Sequence, residues 1–273
     1  MKVKNWKEER QKIAYFIKCG LFVLSIILIA GIGIYAKKTM NAKNNTVHAT
    51  GNGAIQNSGK KLPIYCVECK EPKVALSFDA AWGNDDTAEI LKILKEYNIH
   101  VTFFMTGGWV SSYPDDVKAI AKAGHDLGNH SENHKQMSQL SAEQCKQELL
   151  SVHDKVKELT GKEMTLFRPP YGDYNNTLIE SANSLGYHVI QWDVDSLDWK
   201  DYGADSIIRT VTEHKHLGNG SIILCHNGAK FTKDALPFLI KGLQEQGYTI
   251  VPISELIYKD NYEMDVEGRQ HQK

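Results

Sequence analysis

The chain has 273 residues, 42% hydrophobic and 24% charged, with a formal net charge of -1. That length suffices for one large domain, or two small ones, with a sizeable core. The balanced charge argues against nucleic acid or another polyanion as a partner, and the few glycines and prolines exclude a fibrous or wholly disordered chain.

Residues 1–18 are basic, with Lys2, Lys4, Lys7, Arg10, Lys12 and Lys18 against Glu8 and Glu9. The stretch 19–36, CGLFVLSIILIAGIGIYA, carries no charge. As a helix it would span roughly 27 Å, close to the hydrocarbon thickness of a bilayer. Only Lys37, Lys38 and Lys43 follow, so the basic excess predicts a single-pass anchor with residues 1–18 cytoplasmic and the rest extracytoplasmic, at the cell membrane. A cleaved signal peptide ending at Ala36 is the rival, but its apolar region would be long and Ile34 is bulky where a small residue is wanted. Residues 37–62 read as a flexible polar linker, 63–258 as the folded domain, and 259–273 as a polar tail expected to fray. Cys66 and Cys69 form a C-x-x-C without a second pair, which excludes a zinc ribbon and leaves a small disulfide loop open.

Within the domain, short apolar runs alternate with amphipathic stretches. Strands are predicted at 74–79, 101–107, 164–170, 187–195, 221–227 and 248–254, with HDLGNHS a further strand end or loop. Helices are predicted at 86–98, 114–124, 141–161, 176–186, 204–215 and 233–247. Ser141 and Gln144 are placed as a capping box for the longest of them. About seven strand–helix units argue for a parallel α/β barrel or an open parallel sheet, whose site lies at the C-terminal strand ends.

The polar residues obey that rule. Asp79 ends the first strand, His130 and His134 follow the third, Arg168 ends the fourth, Asp193, Asp195 and Asp198 follow the fifth, and His226 ends the sixth. His130 and His134, four apart in HSENH, can reach one divalent metal if the segment makes one helical or looped turn. Each residue also has a plain reading: solvated histidines, a capping aspartate, a surface arginine, a half-buried histidine. Trp192 and Trp199, flanking an acidic cluster, suit sugar rings or a core equally. All the plain readings holding together at one rim is the weaker alternative.

SFDAAWG, HSENH, RPPYG, DSLDW and LCH, in that order over about 70–257, resemble the five motifs of the NodB-homology polysaccharide deacetylases, carbohydrate esterase family 4, sporulation-type and clostridial members above all. The resemblance implies a distorted (β/α)7 barrel, here preceded by one N-terminal transmembrane helix. It implies a hydrolase of non-peptide carbon–nitrogen bonds that removes acetyl groups from an N-acetylated glycan, peptidoglycan or chitin-like. It also implies a divalent metal, zinc first, with cobalt, nickel or manganese as alternatives. Asp79 is then the catalytic base, Arg168 its holder, His226 the general acid and Asp198 the residue tuning it. His130 and His134 are metal ligands, the Tyr171 backbone N–H forms part of an oxyanion hole, and Trp199 and Leu224 wall the acetyl-methyl pocket.

One position departs from the family. Most members carry a second aspartate after the base, completing the metal triad; here it is Ala80. Asp85, in the loop WGNDD, is the expected stand-in, with Asp86 next to it. The departure leaves a second reading, a catalytically weakened glycan-binding barrel with an incomplete metal site. Amide hydrolysis on a small non-glycan substrate is a third.

Overall fold

The computed structural model describes residues 59–273. The expected basic segment, the anchor at 19–36 and most of the linker lie outside the described residues; no helix among those described is long and apolar enough to cross a membrane.

The first predicted strand is the centre of the fold. In β2 (Lys73–Ala80) every residue from Val74 onward is buried, as a strand covered on both faces of a parallel sheet requires. It is flanked by β3 (Thr102–Met105) and β8 (Ile222–Asn227), while β9 (Thr249–Val251) pairs with its first residues. Outward from β3 come β4 (Asp126–Asn129), β5 (Leu166–Phe167) and β6 (His188–Val189), and beyond β8 lies β7 (Val194–Asp195), all parallel. The predicted strand at 187–195 thus divides into β6 and β7, which pair with β5 and β8 at opposite edges of the sheet. One stretch of chain supplies both edges, so the sheet curls into a distorted (β/α)7 barrel.

Helices cover the outside: α1 (Thr87–Glu96), α2 (Gly107–Ser112), α3 (Pro114–Lys122), α4 (Ala142–Thr160), α5 (Asn176–Ser184), α6 (Ala204–Thr212), α7 (Thr232–Glu245) and α8 (Ile253–Leu256). The capping box at Ser141 and Gln144 is present, and α4 ends at Gly161 with φ of 70°. Short α2 was not anticipated. Thr106, read as strand, instead caps it by accepting the Trp109 N–H.

Two expectations about the ends are corrected. Residues 259–273 do not fray: β10 (Tyr262–Met264) and β11 (Arg269–Gln272) form a hairpin, and β11 pairs in parallel with β1 (Cys66–Val67). Buried Gln270 holds the Tyr258 N–H and carbonyl, which gives this polar stretch a reason to fold. The last linker residues are docked as well, since Asn176 bonds the Gly59 carbonyl and the Lys61 N–H. Cys66 and Cys69 are free thiols.

Candidate active site

Register fixes the geometry before any side chain is considered. Asp79 on β2 stands beside His226 on β8. One residue on, Ala80 aligns with Met105, Asn129 and Phe167 across three successive strands. His130 and Arg168 are the residues following Asn129 and Phe167, so four expected site residues meet at one rim.

Arg168 is fully buried and donates from Nη1 to Asp79 Oδ1 at 2.7 Å and from Nη2 to Ser77 Oγ at 2.8 Å. Its guanidinium also lies 4.2 Å from the centre of the Phe104 ring. Burial would raise the Asp79 carboxyl, but Arg168, with His130 and His226, outweighs it and holds the group below the usual carboxylate range. Asp79 is therefore ionised at neutral pH with Oδ1 occupied. Its Oδ2 lies 3.5 Å from His130 Nε2.

HSENH is a loop, not a helix: Ser131 and His134 both have positive φ, 66° and 52°. It is pinned from below. Buried Glu148 on α4 accepts both the Asn133 N–H and the Asn133 side-chain amide at 2.8 Å, and buried Asn129 accepts the Ser131 N–H. His130 Nδ1 lies 2.7 Å from the Arg168 carbonyl. A carbonyl only accepts, so Nδ1 carries the proton and Nε2 keeps its lone pair. Burial lowers the His130 pKa to about 4 and lowers that of His134 too, so both rings are neutral at pH 7. The His134 ring meets those of His130, Tyr171 and Trp82 edge-on, at 5.0, 4.6 and 5.3 Å between centroids.

His226 is held at two points by Asp198, which is fully buried. Asp198 Oδ2 accepts the His226 N–H and the Thr232 hydroxyl, and Oδ1 accepts from His226 Nδ1, each at 2.7 Å. Burial resists charging of this imidazole, but the Asp198 bond and charge prevail and its pKa is raised. Nε2 is left as its working nitrogen. Leu224 is buried in register with Ser77, on the same strand face as His226, while Trp199 is exposed on the turn Asp198–Lys200. Tyr171 is exposed, on a tight turn with φ of 59°. Asp193 and Asp195 serve the fold: Asp193 accepts from Ile222 N–H and Ser221 Oγ, Asp195 from the Leu197 N–H.

Asp85 is not where it was expected. It is exposed on the outer surface, in a groove it shares with Glu89, Lys233 and Asp234, away from the histidines. Asp86 is buried, but both its oxygens accept the Gly228 N–H at 2.9 Å. Ala80 is fully buried and puts a methyl group where the family pattern has a carboxylate. Among the described residues, no three His, Cys, Asp or Glu side chains converge as a metal set. The two neutral imidazoles suit a divalent cation, but the third protein ligand is missing.

Asp86, named beside Asp85 as a possible stand-in ligand, is instead a clamp between two loops. It joins the loop after β2 to the loop after β8, two residues beyond His226, and Thr87 Oγ bonds the Asn227 side chain beside it at 3.0 Å. Glu148 and Ser77 were missed as well: Glu148 lies outside the motifs, and Ser77, which opens SFDAAWG, was read only as strand, while its partners Arg168 and Ile223 are distant in sequence.

The polysaccharide deacetylase family profile matches residues 67–190. The peptidoglycan-N-acetylmuramic acid deacetylase PdaA of Bacillus subtilis is 33% identical over 250 residues, 85% of this chain and 93% of the relative. This chain belongs to the polysaccharide deacetylases. They are hydrolases acting on carbon–nitrogen bonds. A peptidoglycan-N-acetylglucosamine deacetylase of Bacillus cereus is 35% identical, over 68% of this chain and 89% of the relative. Among solved structures, a CE4 family pseudoenzyme from Bacillus anthracis superposes with a TM-score of 0.69 at 32% identity, covering 72% of this chain and 69% of that one. A variant of that pseudoenzyme has restored enzymatic activity, at the same TM-score of 0.69 and 33% identity, over 72% of this chain and 71% of that one. The family thus contains both active enzymes and a member that has lost activity.

Proposed function

We propose that this chain is a membrane-anchored, extracytoplasmic deacetylase that removes acetyl groups from an N-acetylated cell-wall glycan. The observation that carries the reading is the pairing of Asp79 with Arg168 and of His226 with Asp198 in register on adjacent strands. One pair holds a carboxylate ionised; the other favours a protonated imidazole.

The mechanism follows from these states. A water enters against Asp79 Oδ2, the oxygen Arg168 leaves free, and attacks the acetamide carbonyl carbon as its proton passes to Asp79. The new oxyanion is stabilised by the backbone N–H at Tyr171. The tetrahedral intermediate then collapses, the C–N bond breaks, and His226 Nε2–H protonates the departing nitrogen, leaving acetate and a free amino sugar. Leu224 and Trp199 border the acetyl methyl. A divalent cation, zinc first, would be held by His130 and His134 and would supply Lewis acidity at the acyl oxygen.

Ala80 favours a second reading, a glycan-binding barrel with weakened catalysis. Acetate release from purified peptidoglycan, with and without chelator, separates the two. Release abolished by Asp79→Asn supports the enzyme; binding without release supports the barrel.

A further inference from the structure

Among the described residues, seven large apolar or aromatic side chains are exposed, and four of them, Trp82, Tyr171, Trp199 and Tyr202, are aromatics in loops that follow β2, β5 and β7 at the catalytic rim. Aromatic surface gathered at one rim marks a candidate ligand-binding face. Trp82 has no part in the mechanism above, yet it is 59% exposed with its ring edge-on to His134.

Its backbone is clamped from two sides. The Trp82 carbonyl lies so close to Gly228 that a Cβ there would approach it to 2.4 Å. The next carbonyl, that of Gly83, accepts the Trp109 indole N–H at 2.7 Å, and Asp86 ties the same loop to Gly228. Trp82 is therefore an exposed, uncharged ring on a fixed backbone, edge-on to His134 and next to the loop that follows His226. An aromatic side chain with only two rotatable bonds loses little conformational freedom on binding.

We propose that Trp82 is a stacking platform for a sugar adjoining the one that loses its acetyl group, so that the site selects glycan chains over single acetylated groups. This rests on the proposed glycan deacetylase function. The indole face meets the C–H face of a pyranose, and its place beside His134 sets that sugar next to the reacting acetamide.

The test uses the full chain and an oligosaccharide of N-acetylglucosamine. Binding is titrated by calorimetry in the Asp79→Asn background, with and without Trp82→Ala, Trp82→Leu or Trp82→Phe. Affinity should fall about ten-fold with Ala and with Leu, which keeps bulk but no aromatic face, and largely survive with Phe. In the active chain, Trp82→Leu should raise KM for the oligosaccharide by a larger factor than it lowers kcat/KM on a chromogenic acetyl ester. Equal losses on both substrates, which would mean that Trp82 only shields His134, overturn the proposal. So does unchanged oligosaccharide affinity, or no oligosaccharide binding without the substitution. A chain that binds the oligosaccharide through Trp82 but releases no acetate would sink the deacetylase reading and leave the platform standing.

Discussion

Asp79 and His226 carry opposite charge preferences although their strands are adjacent, because each has its own fixed partner. Asp79→Asn should lower kcat by about 10²–10⁴-fold, the usual contribution of a general base. Asp79→Ala should also destabilise the fold by about 3–5 kcal/mol, since Arg168, completely buried, would lose its counter-charge; urea denaturation measures it. The pH profile should be bell-shaped, its acid limb below the ordinary carboxylate range and its basic limb above the usual histidine value of 6.5. The same raised pKa bears on stability. A protonated His226 is favoured in the fold, so the Asp198 pair contributes fully below pH 6.5 and is lost as pH rises through the folded-state pKa. The difference in Tm between the native chain and Asp198→Asn should therefore be largest in mild acid and shrink towards alkaline pH; a difference growing with pH would contradict the assignment. At position 80, Ala80→Asp should raise zinc affinity by on the order of 10–100-fold, by analogy with the losses seen when a ligand's supports are removed. Asp85→Ala should leave affinity unchanged in a calorimetric titration.

At the scale of elements, what could be read ahead was what local pattern encodes. Asp79, Arg168 and His226 each follow an apolar strand, and Ser141 opens α4 with its capping box as expected. Contacts between distant segments were illegible. Asp86 meets Gly228 across 142 residues, and its place beside Asp85 in WGNDD invites a metal reading that only the folded loop removes. Strand 187–195 looked continuous because its apolar pattern does not record the change of partner from β5 to β8. The hairpin β10–β11 was missed because polar residues there are stabilised by pairing with β1, which no local periodicity announces. The Asp86 clamp makes its own prediction. Asp86→Ala should free the Gly228 N–H, cost about 1–3 kcal/mol, and reduce turnover of an amide more than of an activated ester, because His226 is displaced and only the amide's leaving group needs its proton. Equal losses on both substrates would limit Asp86 to folding.

For the whole molecule, the proposed function is that of an extracytoplasmic deacetylase anchored through 19–36, a reading that rests on the charge asymmetry around that stretch. The cell-associated chain should keep its N-terminus intact, and N-terminal sequencing that began near Lys37 would replace the anchor with a cleaved leader. The central claim is chemical, however, and acetate release from purified peptidoglycan tests it most directly. The native chain should release acetate and expose free amino groups in equal amounts, Asp79→Asn should release none above background, and His226→Ala should fail on glycan while retaining more of its activity on an activated acetyl ester. Binding of peptidoglycan by the native chain with no acetate released, under any divalent metal supplied, would contradict the account and make the barrel a glycan-binding relative of the enzymes it resembles.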